Sequence, residues 1–523
     1  MNIIALNKTP NFKRQELPLL YKNDFIEALE RFPSHKPVLV DEKRSYFAAE
    51  ILEKSINLAS SLKTKGFQVE DRVVIAAEAG VEFIISIYAC MMLKAQVAII
   101  DPEMGRANYE AKLLQFAPKW AIVDNRLLFL REHPILRWCY FKMGDTKPYF
   151  PPTPHVQIIS TGPSLPILQK TLTFSQLTQK SSRFFWHKAE DYPFLIIHTS
   201  GTLDIPKGVL HSLESLKSSI QQISLLLGNE TQQKIATHLP HFMLLGINTQ
   251  NTVHLWNNEW SAQRKLAFIK KYKITTIFGP PSDFLPLMNH CKQEGQLLPH
   301  CLKHLILGSA PVQVPFLRKL IHLSPAHTKL TCTYGMTENL LCCTVDGRRK
   351  AKQSLEGDLL GKAVEGVAIK IAEDQEILVQ SPQSYLRYWH EESKPTWHPT
   401  GDLGYLNEYG QLVLIGRKKN MIIRRNMNIY PGLYEPTINS IPGIRSAVLL
   451  GVYHPEKHDE EVVLVVEKEA EITHKRIQKQ LEYGKHSIDK EARPDRIVFK
   501  RLPRKGRQQK IDRNQIKETL QKV

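Results

Sequence analysis

The N-terminal part of the chain alternates between helical and strand-like hydrophobic patterns. Apolar residues recur at helical spacing from Ala48 to Leu62, before Gly66, and again from Phe83 to Leu93. A short apolar run follows each predicted helix, at 72–76 and at 97–100. Because strand and helix patterns alternate along the chain, the sequence predicts α/β layers built on parallel sheets.

The alternating pattern returns after Phe194, with a helix predicted near Leu213 to Leu227 and strands predicted near 275–278 and 304–307. From about Gly366 to Leu414 short strands dominate, which predicts a β-rich subdomain; they are Ala368 to Ile371, Glu376 to Val379 and Leu412 to Ile415.

A new pattern starts after Arg417. A turn precedes predicted strands at 447–452 and 461–467, and a helix and a basic tail follow. We therefore predict an α/β fold with two domains. A large N-terminal domain spans residues 1–417, and a small, hinged α+β C-terminal domain spans residues 418–523, with the hinge near Arg417 to Asn420.

Composition favours an ordinary globular enzyme. The 523 residues are 42% hydrophobic and 23% charged, which fits a globular chain with more than one core. The longest apolar run, Phe83 to Leu93, is too short to cross a bilayer, and Lys94 closes it. The first fifteen residues lack the apolar stretch of a secretory signal. Seven scattered cysteines without a CxxC pair predict free thiols and a cytoplasmic location.

Charge is strongly basic, with 70 Lys and Arg against 52 Asp and Glu, a formal net charge of +18. Such an excess fits a nucleic acid, an anionic membrane surface or polyphosphate ligands as partners. Much of it lies late in the chain, at 418–425 and 500–513. No RNA-binding signature or zinc-finger spacing accompanies it, so nucleic acid is disfavoured, while peripheral membrane contact and polyphosphate ligands stay open.

A turn rich in hydroxyls and glycines follows the apolar strand near Phe194. Hydroxyl and backbone N–H groups donate to phosphate oxygens, and a lysine offsets their charge. The turn is not a P-loop, because Pro206 stands where that motif needs its second glycine. It resembles the phosphate loop TSGTTGxPKG of adenylate-forming enzymes, with Leu203 and Asp204 in place of the second Thr and the middle Gly. The matching residues are Thr199, Ser200, Gly201, Thr202, Lys207 and Gly208.

Five further segments resemble motifs of the same family, in the same order. They are the GGAP-like turn 307–311, the YGxTE match at 334–338, the TGDLG match at 400–404, the hinge motif at 416–423 with 428–431, and the closing LPxxxxGKIxR-like segment 502–513. Each match is weak by itself, but six in order are specific. By this resemblance, which covers nearly the whole chain, the protein is identified as a member of the adenylate-forming (AMP-binding) superfamily, in its acyl-CoA synthetase or acyl-AMP ligase branch.

The resemblance implies roles for individual residues toward ATP and Mg²⁺. Thr199, Ser200, Gly201, Thr202 and Lys207 would hold phosphates; Gly308, Ala310 and Tyr334 would surround adenine; and Asp402 and Arg417 would contact ribose. Thr337 and Glu338 would bind phosphate and Mg²⁺, with Glu338 as the metal ligand, and Lys510 would be the catalytic lysine between the carboxylate and the α-phosphate.

The resemblance also implies an AMP-forming acid–thiol ligase. Such an enzyme converts a carboxylic acid and ATP to acyl-AMP and then transfers the acyl group to a thiol, with CoA as the expected acceptor. Residues 242–249 and 278–287 are largely apolar and offer no evident partner for an ammonium group, which favours a fatty or other hydrophobic acid.

Two alternatives stay open at this point. One is an enzyme like the β-lactone synthetases, which close a β-hydroxy acyl-AMP without CoA. The other is a non-catalytic nucleotide-binding homologue, suggested by Asp204 and by Gln509 in place of the Gly before the catalytic lysine.

Other departures affect the tail and the acyl pocket. The segment 503–510 is one residue longer than the family pattern, so Lys505 and Arg507 compete with Lys510 for the catalytic position. Met243 stands where the family often has a gating histidine. Core packing beside the acyl pocket is expected for His241, Met243 and Gly246.

Asp204 generates the first prediction, because a carboxylate in a phosphate loop repels the triphosphate. We expect Asp204→Gly to lower the KM for ATP several-fold and to leave the preference among acids unchanged. Pyrophosphate release measured at varied ATP checks both. An unchanged or higher KM for ATP would mean that Asp204 points away from the phosphates or assists binding.

Overall fold

A computed structural model describes residues 24–100, 106–133, 150–151, 153, 155–162, 171–179, 184, 186, 191–198, 208–228, 233–239, 241–257, 259–352, 357–424, 427–454, 459–505 and 510–521. Two large sheets form the main body. The first has eight strands, in the spatial order Arg387–Tyr388, Gly208–Ser212, Pro193–His198, Gln96–Ile99, Arg72–Ala76, Trp120–Asp124, Gln157–Thr161 and Leu172–Thr173. Its strand pairs are parallel, except that Gly208–Ser212 is antiparallel to both of its neighbours.

The second sheet has thirteen strands. Their order is Ala368–Ile371, Glu376–Gln380, His398–Leu406, Leu412–Arg417, Asp358–Ala363, Asn339–Asp346, Lys329–Met336, His304–Leu307, Thr276–Gly279, Lys234–Thr237, Thr252–Leu255, Leu39–Val40 and Ser45–Tyr46. Pairing is parallel from Lys329–Met336 through Leu39–Val40, and antiparallel on both flanks. The predicted β-rich segment therefore extends this sheet rather than forming a sheet of its own.

Helices cover these sheets, and those predicted from hydrophobic spacing lie within two residues of the observed bounds. The described helices of the main body are Phe25–Glu30, Ala48–Thr64, Val81–Met92, Arg106–Phe116, Asn125–Glu132, Phe174–Gln179, Leu213–Leu227, His241–Asn248, Ala262–Tyr272, Pro281–Gln293, Val314–Leu323 and Gly347–Lys352. Helix Leu213–Leu227 illustrates the cause. The Ser212 side chain caps its first turn, Gly228 ends it with φ +67°, and its apolar face is buried.

The largest hydrophobic core contains helix Val81–Met92 and much of helix His241–Asn248. Met243 is fully buried there, and a Cβ on Gly246 would lie 2.1 Å from Val253 Cγ2. The core-packing prediction is thus confirmed for Met243 and Gly246, while the side chain of His241 lies outside the described part. All six cysteines that the structure describes have free thiols. In the described ranges, none of the helices combines the length and apolarity needed to cross a membrane.

The C-terminal part has hydrophobic clusters of its own. Strands Ile444–His454, Asp459–Lys468 and Arg496–Phe499 form a sheet, and two short hairpins pair Ile422–Arg424 with Met427–Ile429 and Arg504–Lys505 with Lys510–Ile511. Helices Pro431–Asn439, His474–Glu482 and Arg513–Gln521 pack around it. The predicted basic tail therefore contains a hairpin and a helix. The separate clusters support the boundary at 417/418, which stays a prediction.

Four buried histidines resist protonation. Burial lowers the pKa of His198 to about 3 and lowers the pKa of His211, His254 and His304 to about 4. Between about pH 6.5 and pH 4 the unfolded chain therefore binds protons at these positions that the folded protein does not bind, so stability falls as the pH falls. Asp283 has the opposite effect on stability. Burial raises the pKa of its carboxyl to about 7, so in this pH range the folded protein binds one proton there that the unfolded chain does not bind.

We expect His304→Gln to reduce the acid sensitivity of folding. Glutamine can keep the 2.8 Å contact that His304 Nε2 makes with Thr331 Oγ1, and it does not titrate. The loss of stability between pH 7.5 and pH 5 should shrink by about 2 kcal/mol relative to the wild type. It is measured as a smaller drop in Tm. The exposed His322→Gln is the control, and an equal drop in Tm for wild type and His304→Gln would refute the assignment.

Candidate active site

The described site residues gather at the carboxyl ends of neighbouring parallel strands. Strand His304–Leu307 runs into the turn at Gly308, and strand Lys329–Met336 runs into Thr337 and Glu338. Because the two strands are parallel, their carboxyl ends meet at one edge of the sheet. One continuous cleft is lined there by Ala310, Thr337, Glu338, Arg417 and Lys510.

Asp402 is the buried anion of this cleft, with 2% of its surface exposed. The Tyr334 hydroxyl donates to its Oδ2 at 2.7 Å, and Arg417 Nε lies 2.7 Å from its Oδ1. The arginine contact falls outside hydrogen-bond geometry, so within the described residues Oδ1 has no hydrogen-bond donor. Burial raises the pKa of Tyr334, which keeps its hydroxyl a donor. The result is a fixed carboxylate with unused acceptor capacity.

Two glycines allow the chain to pack tightly on either side of Tyr334. A Cβ on Gly308 would lie 2.2 Å from Thr333 Oγ1, and a Cβ on Gly335 would lie 2.1 Å from the Leu340 carbonyl oxygen. Neither position has room for a side chain. Next to Gly308, Ser309 adopts φ +64° in the turn that leads to Ala310. The glycines are therefore required by packing, and they bring the turn at Ala310 and the end of the strand at Gly335 together at the cleft.

The turn at Thr337 and Glu338 is held by three hydrogen bonds from the eight-stranded sheet and the segment leading into its edge strand. His211 Nε2 donates to the Thr337 carbonyl at 2.8 Å, the Tyr385 N–H donates to the Glu338 carbonyl at 2.8 Å, and the Tyr388 hydroxyl donates to Glu338 Oε1 at 2.9 Å. With a pKa of about 4, His211 is neutral at physiological pH, and this contact places its proton on Nε2.

Sequence reasoning missed His211, Tyr385 and Tyr388. A signal existed for His211, a polar residue in an apolar strand directly after the phosphate-loop motif. No local pattern links Tyr388 to Glu338, which lies 50 residues earlier.

Lys510 lies in the C-terminal hairpin, close enough to Arg417 and Asp402 to interact electrostatically with both. Its side chain is exposed at the cleft, and protein groups around it displace part of its solvent. This desolvation lowers its pKa, Arg417 and Lys419 lower it further, and Asp402 opposes the change. Lys505, its partner in the hairpin, has an ion pair with Asp512 at 3.2 Å.

The phosphate-loop candidates Thr199, Ser200, Gly201, Thr202 and Lys207 lie outside the described residues, as do Asp204, Arg507 and Gln509. The strands on both sides of that loop are described. His198 ends the first strand and lines the cleft, and Gly208 begins the second. The structure thus places Ala310, Thr337, Glu338, Arg417 and Lys510 on the lining of one cleft. Asp402 and Tyr334 lie next to that lining through the contact of Asp402 with Arg417, and Gly308 lies two residues before Ala310. The roles assigned to all of these residues stay predictions.

The chain is similar to several enzymes that make CoA thioesters. A long-chain-fatty-acid–CoA ligase of Escherichia coli O6:H1 is 26% identical over 312 residues, 54% of this chain and 54% of that protein, so the match spans about half of each. A 2-succinylbenzoate–CoA ligase of Bacillus subtilis is 22% identical over 510 residues, 92% of this chain and 94% of that protein.

A similar fold occurs in the Bacillus subtilis O-succinylbenzoate coenzyme A synthetase solved with ATP and magnesium ion. The two structures agree with a TM-score of 0.76 at 20% identity, over 94% of this chain and 98% of that chain. This agreement confirms the predicted α/β fold. The sequence profile of the family described as AMP-binding enzyme matches residues 25–389, well over half of the chain. The chain therefore belongs to the AMP-binding enzyme family, as its ordered motifs predicted.

Proposed function

We propose that this protein is an AMP-forming ligase that activates a fatty or other hydrophobic carboxylic acid with ATP and passes the acyl group to a thiol, with CoA as the expected acceptor. The observation that carries the proposal is that the turn at Thr337 and Glu338, Arg417 and Lys510 line one cleft, with the buried Asp402 in contact with Arg417. The relatives that the chain matches are CoA ligases by name, which supports the same reaction class.

The residues present fit ATP. Asp402 Oδ1 is buried without a hydrogen-bond donor in the described part of the chain, which suits a carboxylate that accepts from ribose hydroxyls. The turn that carries Ala310 on the cleft, with Tyr334 beside it, suits adenine. Glu338 supplies the hard oxygen ligand that Mg²⁺ prefers, and Thr337 supplies a hydroxyl for a phosphate oxygen. When bound, Mg²⁺ neutralises part of the phosphate charge and orients the phosphates.

Lys510 would act on the charge that develops in the first half-reaction. As a carboxylate oxygen of the acid bonds to the α-phosphorus and pyrophosphate leaves, negative charge gathers on the α-phosphate. An ammonium group between the two anions stabilises that state more than the ground state. The position of Lys510 near Asp402 and Arg417 supports this role over Lys505, which Asp512 holds.

The acid-binding region favours an apolar substrate, with one correction. Phe242 and Phe278 stack with ring centroids 3.7 Å apart, and apolar side chains such as Leu239 and Leu341 line the cleft. However, residues 278–287 also contain a buried carboxylate, Asp283, 3.3 Å from His238 Nδ1. Contrary to the expectation from the sequence, this segment therefore contains an acidic side chain that could pair with an ammonium group. Burial raises the pKa of Asp283 to about 7, so the carboxyl is only partly charged at neutral pH until a cation binds beside it.

CoA is favoured as the acceptor by cationic residues of the C-terminal part. Lys468, Lys500 and Arg501 line the cleft together with Lys505. Their charges suit the phosphates of CoA. In the described residues no feature specifically favours a β-lactone-forming enzyme or a non-catalytic homologue.

The test is an ATP–pyrophosphate exchange assay with fatty, aryl and amino acids, followed by a thioester assay with CoA. Exchange that depends on a hydrophobic acid, with CoA thioester as product, supports the proposal. No exchange with any acid would leave a nucleotide-binding homologue, and exchange without any CoA thioester, together with release of a β-lactone from a β-hydroxy acid, would favour the β-lactone alternative.

Asp402→Asn should weaken ATP binding selectively. Removing the charge that accepts the ribose hydroxyls removes charge-assisted hydrogen bonds, so the KM for ATP should rise about ten- to a hundredfold while the KM for the acid changes little. Asp374→Asn is the matched control, because it removes an exposed carboxylate that pairs with Lys418. Equal effects of both variants on the KM for ATP would contradict the assignment.

Lys510→Ala should lower pyrophosphate release by about a hundred- to a thousandfold, since it removes one donor that stabilises the transition state. The same variant should still convert supplied acyl-adenylate to thioester. Lys505→Ala, in the same hairpin, should retain adenylation. If Lys505→Ala loses adenylation and Lys510→Ala keeps it, our alignment of the tail with the family motif is wrong.

A further inference from the structure

A two-residue strand, Arg387–Tyr388, forms the edge of the eight-stranded sheet. It pairs with the strand that begins directly after the predicted phosphate loop, with Tyr388 opposite Val209. Its flanks are closed by backbone hydrogen bonds of 2.7 Å, from the Leu386 N–H to the Leu210 carbonyl and from the Trp389 N–H to the Gly208 carbonyl. The segment is thus fixed to the first residues after the loop.

The same segment also binds Glu338, which lies in the turn between strands Lys329–Met336 and Asn339–Asp346 of the other large sheet. The Tyr385 N–H binds the Glu338 carbonyl at 2.8 Å, and the Tyr388 hydroxyl binds Glu338 Oε1 at 2.9 Å. Burial and the nearby Glu338 charge raise the pKa of Tyr388, so its hydroxyl remains a donor. One lone pair of the carboxylate is thereby occupied, and among the described residues no further donor to this carboxylate is seen, which leaves its other lone pairs for a ligand.

Mg²⁺ makes this restraint important. It requires nearly octahedral ligands at about 2.0–2.1 Å, and a free glutamate side chain samples many rotamers. A hydrogen bond to a ligating carboxylate selects one orientation before the metal arrives, and loss of such a partner typically lowers metal affinity about 10- to 100-fold.

We propose that Tyr388 is a positioning residue that orients the Glu338 carboxylate for Mg²⁺ and keeps it in register with the strand after the phosphate loop. This inference rests on the proposed function, in which Glu338 is the metal ligand. Tyr388 acts through Glu338 and through strand pairing, without touching the reacting atoms.

The test uses Tyr388→Phe in the full-length protein and has two readouts. The first is the Tm increase produced by α,β-methylene-ATP at increasing Mg²⁺, which reports binding without turnover. The second is the Mg²⁺ dependence of pyrophosphate release. We expect the half-saturating Mg²⁺ concentration to rise about tenfold or more in both, with the rate largely recovered at saturating Mg²⁺. Saturating Mg²⁺ should not restore the rate of Glu338→Gln, because this variant lacks the carboxylate that is the proposed metal ligand.

Trp389→Phe is the matched control for the segment. Trp389 contacts Phe116, with ring centroids 5.8 Å apart, and its Nε1–H donates to the Gln115 carbonyl at 3.3 Å. This variant should lower the Tm of the free protein and leave the Mg²⁺ half-saturation unchanged.

The outcomes separate two failures. A wild-type Mg²⁺ response in Tyr388→Phe, or the same response in Tyr388→Phe and Trp389→Phe, overturns the role of Tyr388 and leaves the proposed function standing. A wild-type protein that neither releases pyrophosphate with any acid nor gains stability from nucleotide and Mg²⁺ overturns the proposed function and the role of Tyr388 together.

Discussion

The ion pair and hydrogen bond at Asp402 connect the parts of the molecule that have to cooperate. A buried carboxylate needs compensation, and here it comes from the Tyr334 hydroxyl and from Arg417. These partners come from two different strands of the thirteen-stranded sheet, and Arg417 is the last residue before the turn into the C-terminal part. One charge therefore sets the geometry of the cleft and of the point from which the C-terminal part departs.

The two large sheets meet at a second small region, the turn at Thr337 and Glu338. His211 reaches it from the strand that follows the phosphate loop, and Tyr388 reaches it from the edge strand paired with that strand; both bind it through short hydrogen bonds. One hydrophobic core contains residues of both sheets, but apolar packing has little directionality and does not by itself align their edges closely. Directional hydrogen bonds at this turn do so, at the place where both sheets present polar groups to the cleft.

Much of the fold could be predicted because its signal is local. Leu213–Leu227 has helical spacing with Ser and Gly at its ends, and His304–Leu307 is a short apolar run, so both were predicted with the bounds that the structure has. Sheet partnership is not local. Nothing in residues 366–414 indicates that their strands continue a sheet that starts at Ser45–Tyr46.

The same distinction applies to the site. Asp402, Glu338 and Lys510 lie in motifs whose order identifies the family, whereas His211 and Tyr388 act through contacts across 126 and 50 residues. The tail was the least predictable segment, because its many lysines and arginines mask the weak apolar pattern of Ile511, Ile516 and Leu520.

The clustering of positive charge around Asp402 has a mechanical consequence. Lys510 lies within electrostatic reach of Arg417 and Lys419, and Lys419 lies within reach of Arg417 and Lys505. Asp402 attracts both Lys510 and Lys419, and Asp512 pairs with Lys505. Like charges repel, so these residues weaken the contact between the C-terminal hairpin and the main body. A polyanion that enters between them relaxes the repulsion and acts as a counterion that draws the two parts together. Its departure restores the repulsion. The charge of whatever occupies the cleft would thus influence how closely the C-terminal hairpin and the main body approach each other.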